Sequence, residues 1–364
     1  MSRSINVLQA TMIIMATVGL FDHVIIIPIL LDIAGRDAWV SAILAFFPFA
    51  VWIFVIHWIM KRSGQQPLLE WIRDTAGGTV SVLFRILFFI AFFLVALITV
   101  KDTVTWATSS YLPETPMIAL TMLLVCLCYF SARSGILSIA VTSGVLLPFI
   151  VLLGFFVMSA NMVNKDYSRL FPIMEYGTIP LQKGILYAGS GFIELIVILL
   201  FQHHIGPKVK WWQLLVIGVI ITGLTLGPTT GSLAEFGPVE GTKHRYPAFE
   251  QWKLVVVQKY IERVDFFSIY QWFAGAFTRV SLAMYLLAEL SPFKGKTNKS
   301  LFLMLLSVVL IFITVLPVSD ITFYDWLKNI YLPYSLAGYL AITLGLCIVA
   351  MLAKKRGTFR DNLE

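Results

Sequence analysis

Residues Val18–Ile27 read VGLFDHVIII, inside an apolar run from Ile5 to Leu31. The run is long enough to cross a bilayer as a helix, yet Asp22 and His23 sit near its middle. An ionised Asp at the centre of a spanning helix costs roughly 2.5–3.5 kcal/mol. A carboxylate at that depth marks a functional site or a break in the helix. Exposed backbone groups at membrane depth are tolerated only where they line a cavity or bind something.

The rest of the chain supports the membrane reading. It has 364 residues, 59% hydrophobic and only 13% charged, with a mean hydropathy of +0.85. A soluble domain carries about 25% charged residues. Ten apolar runs qualify as spans, at about 5–31, 38–60, 79–111, 115–131, 135–160, 183–204, 211–231, 261–289, 300–317 and 331–353. These predict an all-α polytopic membrane protein, one integral domain over residues 1–364. The first run is too long for a signal-peptide core and no small-residue cleavage site follows it, so it reads as the first helix of the mature chain. Ten spans put both termini on one side. That side carries the larger share of Lys and Arg, including Lys61, Arg62, Arg133, Lys208 and Lys210, so it is expected to be cytoplasmic. The net charge of +7 then reflects topology and attraction to lipid headgroups, not nucleic acid. The three cysteines all fall within spans, which is no disulfide framework. There is no metal-ligand spacing, phosphate loop or nucleophile elbow, so neither an enzyme nor a cofactor is expected. His203–His204 reads as an interfacial polar pair.

Ten spans divide five plus five, as inverted repeats of about 5–160 and 180–353, with an external loop at about 232–260. Repeats of this kind place their site between discontinuous helices at corresponding positions. The first span has Gly19, Leu20, Phe21 and Asp22 there. The sixth reads ILYAGSGFIELIVILL, with Gly189, Ser190 and Gly191 interrupting the apolar run and Glu194 one turn beyond. Two readings of Asp22 stand: an N-cap of the second half-helix, or a contact for a ligand's ammonium group. His23 reads as a packed or hydrogen-bonded histidine. Arg279, deep in the eighth span, demands a partner, for which Asp22 and Glu194 are the candidates. Thr278 and Ser281 lie on neighbouring faces. A fixed guanidinium at Arg279 would act as a cation surrogate and make binding sodium-independent. Lys101–Asp102 reads as a polar patch near the outer end of the third span. Phe21, Val95, Phe192 and Phe277 are candidate walls, and so apolar a pocket favours an amino acid over a sugar.

Three stretches carry a resemblance: GLFDHVIIIP from Gly19, LFPIMEYGTIPLQKGILYAGSGF from Leu170, and YPAFEQWKLVVVQKYIERVDFFSIYQWFAGAFTRVSLAMYLL from Tyr246. Together the chain resembles the B subunit of bacterial spore germinant receptors, the GerAB-like family. That family is similar to the amino acid–polyamine–organocation transporters of five-plus-five fold with broken helices 1 and 6. The resemblance implies a nutrient sensor in the bacterial cell or inner spore membrane. It would bind a small germinant and act with an A-type membrane subunit and a C-type lipoprotein. It implies binding roles for Gly19, Leu20, Phe21, Asp22, Gly189, Ser190, Gly191 and Thr278. Val95 and Thr99, four apart near the middle of the third span and so on one face, are added as candidate ligand contacts. An amino acid permease and a water or ion conduit are the alternatives. The fifth span has no charged residue, against proton coupling through it. Trp252, Leu254 and Val255–Val257 suggest a segment lying at the membrane interface, as a pocket cover or a docking surface.

Overall fold

Asn6 sets the entry into the first helix. Its side chain accepts from Gln9 N at 2.8 Å, while Gln9 Oε1 accepts from Asn6 N at 2.9 Å. This capping box satisfies two backbone donors that helix geometry leaves free. The computed structural model describes residues 4–256 and 264–360. The helices are α1 (Val7–Leu20), α2 (Ile26–Ala34), α3 (Ala38–Arg62), α4 (Leu68–Ala76), α5 (Gly78–Ser110), α6 (Met117–Ser134), α7 (Ile136–Ala160), α8 (Thr178–Phe192), α9 (Ile198–Phe201), α10 (Trp211–Gly241), α11 (Pro247–Lys253), α12 (Phe267–Leu290), α13 (Lys296–Val315), α14 (Asp320–Trp326) and α15 (Leu332–Arg360).

Among the described residues, nine helical runs are long and apolar enough to cross a membrane, the first of them 57 residues from Val7 to Ser63. At 1.5 Å per residue such a run would reach about 85 Å, far beyond a hydrocarbon core of about 30 Å. Gly35 divides it. Its φ of 54° and ψ of −128° lie where a side chain is disfavoured, and α2 ends there. Counting α1–α2 and α3 separately gives the ten spans expected.

Several boundaries differ from the hydropathy reading. The sixth span starts at Thr178 rather than 183, and the tenth at Asp320 rather than 331. Ser319 explains the latter, because its hydroxyl accepts from Thr322 N at 3.1 Å and caps the helix start. The seventh helix runs on past 231 and breaks only at Gly237 (φ 81°). The external loop therefore begins later than expected and contains α11. Residues 257–260 of that loop, Val257 of the interface segment among them, and 261–263 of the eighth span lie outside the described residues, and α12 begins at Phe267. α4 was not anticipated. It buries Leu68, Trp71 and Ile72 and exposes Glu70, Arg73 and Asp74, so its charge hides it from a hydropathy window.

α12 is the central helix. It packs on α1, α5, α6 and α7 and is largely buried, as is the α8–α9 run, whereas α7 and α13 turn mostly outward. The two expected interruptions are present as changes of helical pitch, not as unwound chain. The first span passes from α1 into α2 through a π turn, Phe21–Ile25. The sixth joins α8 to α9 through a tight 3-10 stretch, Ile193–Val197, just beyond Gly189–Gly191. A second π turn, Leu327–Tyr331, lies in the tenth span between α14 and α15.

Candidate functional site

The π turn rotates Phe21 and Asp22 into the protein. Both are 0% exposed. π turns inside α-helices are frequent at functional sites. The Phe21 ring meets the Tyr331 ring edge-on at 6.3 Å, so the two π turns face each other. The Arg279 guanidinium lies over the Phe21 ring, 4.6 Å from its centroid, an attractive cation–π geometry.

Arg279 ties four spans together. Nη1 and Nη2 donate to Glu194 Oε2 and Oε1 at 2.6 and 2.9 Å. Nε donates to Thr99 Oγ1 at 2.9 Å, and Nη1 also donates to Thr17 O at 3.0 Å. The first, third, sixth and eighth spans thus converge on one bidentate ion pair, which satisfies charge and geometry together. Of the two partners open to Arg279, the structure assigns Glu194. The 3-10 stretch puts it there.

Asp22 is left over. Neither carboxylate oxygen has a hydrogen-bond partner among the described residues. The N-cap reading is overturned: the π turn carries helical backbone straight through Asp22, so no half-helix starts there for it to cap. Gly191 faces this carboxylate. A Cβ at Gly191 would overlap Asp22 Oδ1 and press on Ile26. Gly191 is needed for close approach, not for unwinding. His23 donates from Nδ1 to Leu224 O at 2.9 Å, as a packed histidine.

A cavity of about 20 Å³ lies against the ion pair, lined by Thr17, Val95, Glu194, Arg279 and Tyr339 among others. That is room for about one water. The structure brings Val95, Thr99, Gly191, Glu194, Arg279, Phe21 and Asp22 into one neighbourhood. The other sequence candidates fall outside it. Gly19 abuts Leu224 and Leu20 abuts Gly275. Ser190 donates to Tyr187 O, and Thr278 to Ala274 O, each within its own helix. Gly189 has open space where a Cβ would go. Phe192 packs on Phe49 instead of the cavity. Sequence reasoning missed Thr17 and Tyr339. Thr17 lies one turn before Phe21 on the same face, the one signal available for it.

Toward the end of α5, away from the termini, the site is covered. Trp106 stacks on Trp272 at 4.0 Å, and Tyr246 and Phe249 meet this pair edge-on. Arg245 donates to the buried Asp102 at 2.6 Å, lies 3.3 Å from Asp320, and rests over the rings of Tyr246 and Tyr324. The polar patch expected at Lys101–Asp102 is therefore an anchor for the loop. Burial opposes the charge on Arg245, but Asp102, with Tyr246 and Asp320, outweighs it and raises the guanidinium above its usual value. Burial and the nearby Asp102 push the Tyr246 hydroxyl up as well. Arg245→Ala leaves Asp102 buried without its cation, at an expected cost of about 3 kcal/mol. Thermal unfolding of the purified protein checks this; an unchanged midpoint refutes the anchor.

This architecture superposes on MhsT solved in complex with L-phenylalanine, with a TM-score of 0.60 at 10% identity, covering 94% of this chain and 98% of that one. The fold defines an integral membrane protein of the LeuT-like class. Residues 4–322 match the family described as spore germination protein. The chain is 41% identical over 354 residues to spore germination protein XB of Bacillus anthracis, covering 97% of this chain and 99% of that one. It is 24% identical over 335 residues to spore germination protein KB of Bacillus subtilis (strain 168), covering 89% of each. The chain belongs to the GerAB-like family of spore germination proteins.

Proposed function

We propose that this protein is the nutrient-sensing subunit of a spore germination receptor, binding a small amine-bearing germinant, an amino acid before a sugar, in the mid-membrane space beside Asp22. One observation carries the reading. Asp22 is a fully buried carboxylate without a hydrogen-bond partner among the described residues, packed so closely on Gly191 that a Cβ there would overlap it. A ligand ammonium supplies the missing donor. Glu194 and Arg279 form the neighbouring wall.

The cavity of about 20 Å³ is far too small for an amino acid, so the described state is a closed one. Ligand binding then selects a more open state, and it shifts the equilibrium only by its differential affinity for the two. A change of pitch at the facing π turns opens the space without exposing backbone to lipid. The partners that read the shift are an A-type membrane subunit and a C-type lipoprotein. The termini are cytoplasmic, in the cell or inner spore membrane, and the two repeats run over about 5–160 and 180–353. Permease action by alternating access is favoured by one observation, the shared fold with a protein solved with bound L-phenylalanine.

Labelled L-amino acids and sugars presented to the purified protein test the proposal. Saturable amino acid binding is expected, with equal affinity in sodium and choline buffers because Arg279 already holds a cation's place between the first and eighth spans. Tighter binding in sodium removes the surrogate role. Accumulation of substrate inside proteoliposomes assigns the permease reading instead.

A further inference from the structure

A second, much larger cavity lies away from the ion pair, and no part of the sensing role uses it. It measures about 770 Å³ and opens between the ends of α6, α7, α12 and α13. It is on the termini's side of the membrane. His204 lines it, and Ile5, at the start of the chain, donates to His204 O at 2.8 Å. Three cations line it, Arg133, Lys296 and Lys299, against one carboxylate, Glu289. Lys299 is engaged with Glu289 at 2.7 Å. Arg133 and Lys296 are exposed and have no ion-pair partner among the described residues. Hydroxyls of Ser134, Ser138 and Ser300 stand among them.

The deeper wall is apolar. Val141 lines the cavity and is 53% exposed, and Val145, one turn further on the same face, is 59% exposed. On α13, Ser300 lines the cavity and Met304, one turn deeper, is 50% exposed. A cationic, hydroxyl-bearing mouth at the membrane boundary thus continues into two outward apolar faces. Basic pockets between spanning helices at a membrane face hold anionic headgroups. A free phosphate satisfies the mouth and leaves the apolar faces unused. A helix N-terminus adds to the mouth: α13 starts at Lys296 after Gly295, and its free N–H groups favour an anion.

We propose that this cavity binds the phosphodiester headgroup of an anionic phospholipid, with Arg133 and Lys296 as its charge contacts and the acyl chains along Val141–Val145 and Met304. The test uses the full-length purified protein and three probes: dioleoyl phosphatidylglycerol, dioleoyl phosphatidylcholine and inorganic phosphate. Binding is read by native mass spectrometry and by the shift in melting temperature. Phosphatidylglycerol is expected to bind and stabilise, phosphatidylcholine to bind at least tenfold more weakly, and phosphate to compete poorly. The double variant Arg133→Gln/Lys296→Gln changes exposed side chains and leaves the Lys299–Glu289 pair intact. It is expected to lose phosphatidylglycerol binding about tenfold while keeping the lipid-free melting temperature. Lys296→Arg alone is expected to retain binding. Equal binding of the two lipids, or undiminished binding by the double variant, overturns the proposal. Strong phosphate binding without lipid binding overturns it in favour of a free anion.

Discussion

Arg279→Ala is expected to leave little folded protein. The guanidinium carries two bonds to Glu194, one to Thr99 and one to a helix 1 carbonyl, all buried. Removing it strands Glu194, 5% exposed, without its cation. Breaking one side of a buried pair costs about 3–5 kcal/mol, a large share of a total stability of about 5–15 kcal/mol. Replacing both partners is different, because an apolar pair of similar volume leaves no charge behind. Glu194→Leu/Arg279→Met is therefore expected to melt closer to the wild type than Arg279→Ala does. It is also expected to lose the germinant response, since the wall beside Asp22 is gone. Thermal unfolding and immunoblots of spore membranes separate the two effects. If Arg279→Ala melts like the wild type, the pair does not hold the four spans together.

The span count was legible because a bilayer imposes length and apolarity on each crossing. Gly35 shows the same logic at a turn. What hydropathy does not encode is helical pitch. A π turn and an α turn use the same apolar residues, so Phe21–Ile25 and Leu327–Tyr331 gave no sign in the sequence beyond the odd polarity of Asp22. Asp22, Glu194 and Arg279 stood out because charge at membrane depth is expensive. Their pairing did not, because it depends on the 3-10 stretch that turns Glu194 toward α12. Arg245 and Asp102 are 143 residues apart, and only the folded loop brings them together. Gly189 and Gly191 look alike in sequence. In space one faces nothing within 4 Å and the other faces a carboxylate.

That difference yields the sharpest expectation for the ligand site. Asp22→Asn removes no hydrogen bond seen among the described residues, so it is expected to fold and reach the membrane at least as well as the wild type. It deletes the charge proposed to meet the ligand. A hydrogen bond to a charged group is worth about 1.5–3 kcal/mol, roughly ten- to hundredfold in Kd. Amino acid binding is expected to weaken by that factor. Gly191→Val drives a side chain into Asp22 and Ile26. Overpacking of this kind costs about 1–3 kcal/mol, and the response is expected to vanish because the carboxylate is displaced. Gly189→Val meets no such neighbour, and replaces a poor helix former with a better one, so it is expected to respond like the wild type. Binding isotherms and germination assays on the three variants check the pattern. A wild-type affinity in Asp22→Asn would detach this carboxylate from the ligand, and loss of response in Gly189→Val would mean that flexibility in α8, not the close approach to Asp22, is what the glycines provide.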